Sequence, residues 1–331
     1  MNATTSVTAS FQQHQQTTRF VPFMSDSASA LVAPLLVYWV YSLFFHFLSK
    51  AEIPWVERYR IHDPEEMTKN KVSVKDVIQG VVFQQVLQTI LGFLVLDDEE
   101  TSGSASLLTL DRISWAVSKA LGSVHIKQLI IAQFGMPAYM DALLTLSSIM
   151  QSYVIPAFQF FIAMFILDGY QYFFHRLFHQ NKYLYKHVHS YHHRLYVPYA
   201  FGALYNHPVE GFVMDSVGAT LAFALSGLPT KGAILFFSFS TLKTVDDHCG
   251  YAFPWDPLQF MFGNNVAYHD IHHQPFGIKK NYSQPFFTWW DRLLNTYVST
   301  DRVYNSVSEK AQLKDKLKGS TEDSASQAQM L

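Results

Sequence analysis

Charge and cysteine are what this 331-residue chain has least of. Asp, Glu, Lys and Arg together make up only 15% of it, too little to cover a soluble surface, and they nearly cancel to a net charge of −2. Without a basic excess or a Lys/Arg stripe interleaved with aromatics, nucleic-acid binding is excluded. Cys249 is the single cysteine. There is therefore neither a disulfide framework nor a cysteine-based zinc site, and any metal must be held by nitrogen and oxygen. In their place stand aromatics at 16%, with 28 Phe and 18 Tyr, and 15 histidines.

Apolar runs long enough to cross a bilayer, which takes about 20 residues, lie at 28–48, 77–96 and 146–170. A fourth, 212–242, is interrupted by Ser226, Gly227, Pro229, Lys231 and Gly232 and reads as two short helices that dip in and return. The first run lacks a basic flank and a small-residue cleavage site, so it is expected to stay in the membrane. Lys50, Arg58, Arg60, Lys69, Lys71 and Lys75 crowd the loop between the first two spans, and Asp97, Asp98, Glu99 and Glu100 follow the second. The positive-inside rule puts the 50–76 loop in the cytosol. Counting onward, every later histidine cluster falls on that same side, and Asn281 of the sequon Asn281-Tyr282-Ser283 is expected to stay unmodified. The domain reading is a disordered segment 1–27, membrane anchor helices and loops 28–145, a catalytic domain 146–300 and a polar tail 301–331.

The chemistry sits in the histidines. His175 and His179 are four apart; His189, His192 and His193, and again His269, His272 and His273, read HxxHH. Such spacing stacks side chains on one helical face, so each cluster is expected to aim its rings at one point. The first cluster is no zinc-protease helix, because Arg176 stands where that motif needs Glu. His248 ends the broken hairpin, where the chain returns beside the clusters, and is a further candidate ligand. His187 lies off the ligand face, and His207, before Pro208, reads as a loop hydrogen bond. His14, His46, His62 and His125 read as ordinary isolated histidines. Asp168, seven residues before His175, Asp247 beside His248 and Asp270 inside the third cluster are candidates to fix ring tautomers from behind; for Asp168, capping a neighbouring element is the equal alternative. These imidazoles exceed the four to six positions of one ion, so two ions are implied. A carboxylate-poor nitrogen centre at a bilayer suggests oxygen chemistry and iron, with zinc left open by the ligand type.

The strings HRLFH, HSYHH and HDIHH, with the trailing NYSQPFFTWWDRLLNTY, resemble the integral-membrane fatty acid hydroxylase superfamily, which includes sterol desaturases, sterol C4-methyl oxidases and sphingolipid hydroxylases. Residues 165–297 are most similar to sphinganine C4-hydroxylases, through YVPYAFGALYNHPVEGF, TLKTVDDHCGYAFP and NNVAYHDIHHQPFGIKKNYSQPFF, and YRIHDPEE fits the fungal type. Asn295 departs from the Gly that many members carry before the Thr of the WD segment. The resemblance implies an all-α integral membrane bundle with a cytosolic histidine-rich di-metal domain. It carries the ligand role onto His175, His179, His189, His192, His193, His248, His269, His272 and His273. It also implies two irons, dioxygen, electrons from cytochrome b5 and its reductase at the endoplasmic reticulum, and a long-chain base or ceramide entering from the lipid phase. Tyr199, Tyr205, Asn206 and Glu210 are candidates for head-group contact, or simply interfacial residues. The rival readings are a sterol oxidase or desaturase of the same superfamily, a zinc-dependent lipid hydrolase, and a histidine-rich metal transporter. A transporter would place its ligands within the spans rather than after them.

Overall fold

Ser25 accepts the N–H of Ala28 (3.2 Å) and so starts α1, Asp26–Ala51, which Glu52 ends in a left-handed conformation. The computed structural model describes residues 19–95, 110–123, 125–313 and 316, and among them every regular element is helical. The expectations for residues 1–18, for the acidic stretch 97–100 and for residues 317–331 lie outside the described residues. After α1 come α2 (Val74–Val95), α3 (Leu110–Ser123), α4 (Ile126–Ile149) and α5 (Ile155–Gln180). The short α6 (Lys182–His187), α7 (Pro208–Ser226), α8 (Thr230–Asp247), α9 (Pro257–Met261), α10 (Val266–His273) and α11 (Trp289–Leu293) follow.

Four helical stretches are long and apolar enough to cross a membrane: α1, residues 74–94 of α2, the stretch Ile126–Gln180, and α7. Their outer faces carry exposed apolar stripes. On α1, Leu36, Val40, Phe44 and Phe47 follow one another at helical spacing and are 54–68% exposed. An apolar face of this kind on a long helix faces lipid rather than water.

The third span begins well before residue 146. At 55 residues, Ile126–Gln180 would run roughly 80 Å if straight, far beyond the ~30 Å of a hydrocarbon core. It is broken by Gly135 (φ 85°), next to Pro137, and loosened by a π-helical turn at Met150–Val154. Its last turns therefore stand clear of the apolar stretch and carry His175 and His179. The interrupted fourth run becomes two helices, α7 and α8, with the chain turning at Gly227 (φ 67°).

α1 packs along α8 and α5 along α7. Tyr38, Val81, Phe201, Val245, Tyr251, Val266 and Ile271 form one core beneath the histidines, while Ala163, Leu167, Ala222, Phe236 and Phe286 form another between α5, α7 and α8. The basic loop after α1 lies against the histidine-bearing segments. Ile61 N–H donates to Gly250 O (3.0 Å), Lys71 N–H to Arg194 O (2.8 Å) and Asn70 Nδ2 to Val197 O (3.0 Å).

The polar tail expected from residue 301 instead opens with helical residues 301–313. Val303 and Val307, one turn apart, are buried in the first core, and Lys310 Nζ reaches Asp63 (3.0 Å). Two valines at helical spacing anchor a segment whose overall composition is polar. Asn281 is fully buried, its Nδ2 donating to Tyr268 O (3.1 Å) and Val298 O (3.3 Å), so the sequon is closed to modification in the folded chain.

Candidate metal centre

Three short devices bring the boxes together. Asn181 caps α6 by accepting from Tyr183 N (2.9 Å) and Leu184 N (3.1 Å), and this turns the chain back so that the 3-10 segment His189–Arg194 lies over the end of α5. Asn265 caps α10 through Tyr268 N (3.0 Å), starting the helix that carries the third box. The end of α8 delivers His248.

All nine histidines converge, but in two groups. His175, His179, His189, His193 and His272 form one; His192, His248, His269 and His273 form the other. Within each group the potential ligand atoms lie within 4.8 Å of one another. Each HxxHH box is thus divided: its first and last histidines go to one group and its middle one to the other. The expectation that a box aims all its rings at one point is corrected here. On an α-helix the third and fourth residues onward lie about 100° apart around the axis, so a helix facing the seam between two sites serves both. His248 joins the group that the first box does not supply.

The rings point their Nε2 atoms inward. His179 Nε2 lies 2.7 Å from His189 Nε2 and 3.0 Å from His272 Nε2, and His269 Nε2 lies 3.0 Å from both His248 and His273. Six Nδ1 atoms face fixed oxygens behind: His175 to Tyr282 O (2.8 Å), His192 to Tyr205 O (3.1 Å), His248 to Thr244 O (2.8 Å), His272 to Lys280 O (2.7 Å), His273 to Leu195 O (2.7 Å) and His189 to Glu210 Oε1 (2.5 Å). Carbonyl and carboxylate oxygens only accept, so these Nδ1 atoms carry the protons and the Nε2 lone pairs face one another. Such a convergence of lone pairs is repulsive unless a cation sits among them. The spacings suit neighbouring ligands about 2.1 Å from a common ion.

Burial keeps the rings neutral. It pushes His189, His248 and His272 down to about 3 and His192 to about 4, and holds His193, His269 and His273 well below the ordinary histidine value. Protons therefore do not compete for the nitrogens near neutral pH.

The three aspartates expected behind the rings do other work. Asp168 accepts from the backbone of Phe286 (3.0 Å) and Phe287 (2.6 Å), so it holds the loop that precedes α11. Asp247 pairs with Lys243, and Asp270 with His62 (2.7 Å), whose other nitrogen faces Glu66 (3.3 Å). Burial opposes a charge on His62, but the bond to Asp270 and the two carboxylates outweigh it and raise its pKa. His187 packs at a tilt against Tyr183 outside both groups, and His207 Nδ1 accepts from Val209 N (3.2 Å) as an N-cap. Glu210, expected at a head group, is the carboxylate behind a ring. Its placement in the first turn of α7 was the available signal, since acidic residues favour helix N-termini. Replacing Glu210 with Ala should lower metal content or metal affinity about 10- to 100-fold, whereas Gln, which keeps an accepting oxygen, should stay within about threefold. Metal analysis of the purified variants checks this.

Asp291 went unnoticed in the sequence. Fully buried, it accepts from Tyr282 N (3.0 Å), Ser283 N (2.7 Å) and the Tyr268 hydroxyl, tying α11 to α10 and to the loop whose Tyr282 carbonyl holds His175. A cavity of about 40 Å³ lies between the histidines and helices α5, α7 and α8. His175, His189, His192, His248 and His269 line it, with Asn206, Glu210 and Asp215; Tyr199 and Tyr205 do not.

Helices fit to span a bilayer, carrying a nine-histidine centre able to hold metal at their ends, define a class of membrane-bound metal-site protein. Residues 160–296, which contain every one of these histidines, match the model for the fatty acid hydroxylase family. The sphingolipid C4-hydroxylase of Schizosaccharomyces pombe is 45% identical over 81% of this chain and 87% of its own length. Sphinganine C4-monooxygenase 1 of Arabidopsis thaliana is also 45% identical, over 83% of this chain and 89% of its own length. A rice protein named very-long-chain aldehyde decarbonylase GL1-9 is 40% identical over 85% and 92%. No solved structure matches. The chain belongs to the fatty acid hydroxylase family.

Proposed function

We propose that the protein is a membrane-bound monooxygenase that hydroxylates C4 of a sphinganine-type long-chain base, as the names of its relatives from fission yeast and Arabidopsis suggest. The observation that carries this reading is the pair of inward-facing imidazole groups abutting a cavity lined by residues of α5, α7 and α8. Two irons held by the five- and four-histidine groups would supply the activation of dioxygen and the removal of hydrogen from an unactivated methylene. Overall, R–H, O2, two electrons and two protons give R–OH and water. The chain's own residues hold and orient the centre: Nδ1–H donors lock six of the nine rings against fixed oxygens. Burial of the histidines excludes bulk water, which protects a reactive centre from side reactions. The lipid chain lies among α5, α7 and α8, and its head stays at the interface, which brings a carbon close to the head within reach of the centre.

The active face is cytosolic, at the endoplasmic reticulum, where cytochrome b5 and its reductase deliver the electrons; the basic 50–76 loop packed beside the histidines supports this orientation. The rice relative's name favours a second reading, in which the same centre removes a carbon from a long-chain aldehyde. Expression in a host without phytosphingosine separates the two. Trihydroxylated bases should accumulate in air and disappear under nitrogen or after chelation. Shortened hydrocarbons or altered sterols in place of trihydroxylated bases would overturn the proposal.

A further inference from the structure

The cavity beside the histidines is lined by oxygen acceptors that lack donors. Glu210 is 3% exposed; its Oε1 is engaged by His189, while its Oε2 is buried with no hydrogen-bond partner. Asn264 is 1% exposed and its Oδ1 is likewise unpartnered. Asp247 is offset by Lys243, whose Nζ also donates to Asn264 O (2.9 Å). Asp215 meets only neutral amides, Gln84 Nε2 (3.1 Å), Gln88 Nε2 (3.5 Å) and the Asn206 side chain. Among the described residues, no lysine or arginine pairs with Glu210 or Asp215. Two carboxylates without a cation, one of them carrying a buried free oxygen, stay ionised here only when a ligand supplies positive charge and donors, and otherwise take up a proton.

The backbone brings the two together. In an α-helix, residues five apart differ by roughly 140° around the axis. The π-helical turn Phe212–Val217 winds more slowly and rotates Asp215 toward the face of Glu210, so that both line the cavity. Turns of this kind are uncommon and cluster at functional sites.

We propose that Glu210 and Asp215 form a binding site for the protonated primary amine of a free long-chain base, with Asn264 Oδ1 taking a hydroxyl donor. The proposal rests on the hydroxylase reading above. In sphinganine the amine sits on C2, flanked by hydroxyls on C1 and C3, so an amine held at the cavity wall keeps C4 next to the histidines. N-acylation removes the charge and two of the three donors and adds a second chain. The site therefore selects the free base over its ceramide.

Equilibrium binding to the metal-free full-length protein in nanodiscs tests this without turnover, with sphinganine and N-acetylsphinganine as probes. Sphinganine should bind at least about tenfold more tightly to the wild type, a charge-assisted bond being roughly twice as strong as a neutral one. Asp215→Asn and Glu210→Gln should each bring that ratio below about threefold by weakening sphinganine alone. Equal or tighter binding of N-acetylsphinganine to the wild type, a comparison that needs no variant, overturns the proposal; so does an equal loss for both lipids in variants that unfold at the wild-type temperature. If sphinganine binds selectively but the metal-loaded enzyme, given dioxygen and a reductant, leaves C4 unchanged, the amine site stands and the proposed function falls.

Discussion

Replacing His272 with Ala should reduce C4 hydroxylation by more than about 100-fold while leaving membrane insertion unchanged. Loss of a partner merely behind a metal ligand already costs 10- to 100-fold, and in the proposed centre His272 would supply a ring nitrogen directly. It is fully buried, its Nδ1 is fixed on Lys280 O (2.7 Å), and its Nε2 lies 3.0 Å from that of His179. It belongs to the five-histidine group although its neighbours His269 and His273 belong to the other. Of the four histidines left in its group, His175 is held on Tyr282 O and His189 on Glu210 Oε1, so these two rings cannot shift to close the gap. Insertion is spared because His272 sits on α10, outside every candidate span. Protease protection reports insertion, bound metal reports the centre, and the yield of trihydroxylated base reports turnover. Full activity with a normal metal load would refute the ligand assignment.

Asp291→Ala should destabilise the histidine-bearing region by about 3–9 kcal/mol, with loss of bound metal as its visible result. Three donors converge on that carboxylate: Tyr282 N, Ser283 N and the Tyr268 hydroxyl. Each buried donor left unsatisfied costs about 1–3 kcal/mol. The damage reaches the centre along a short path, since Tyr268 lies on α10 beside His269 and the Tyr282 carbonyl holds His175. Asp291→Asn keeps one accepting oxygen and should fall between Ala and the wild type. Thermal unfolding in detergent, followed with metal content, distinguishes this effect from that of His272, where metal is lost without comparable loss of stability. An unfolding temperature unchanged in Asp291→Ala would exclude the anchoring role.

The spans and the convergence of the nine histidines were legible because both depend on side-chain pattern. Helical spacing marked the boxes, and the hairpin at 212–242 marked the return that carries His248. The partition into two groups was hidden. It depends on which way α10 and the 3-10 segment face, and that is decided by Asn181, Asn265 and contacts distant in sequence. The acceptors behind the rings were also hidden, because five are backbone carbonyls and carry no residue signature. Asp168, Asp247 and Asp270 drew attention through proximity in sequence to the boxes, yet Phe286–Phe287, Lys243 and His62 claim them. Glu210 stands far from His189 in sequence, and only the packing of α7 against the boxes brings the two within 2.5 Å. The helical start of the tail escaped because Val303 and Val307 are few among polar neighbours.

The shared use of α10 has a thermodynamic consequence. Its eight residues give His272 to one group and His269 and His273 to the other. With two ions, as proposed above, any entropy lost in ordering this helix would be incurred once, on capture of the first. A second ion then meets ligands already held in place, so its affinity is raised without any new contact. The centre should fill cooperatively and empty as a unit.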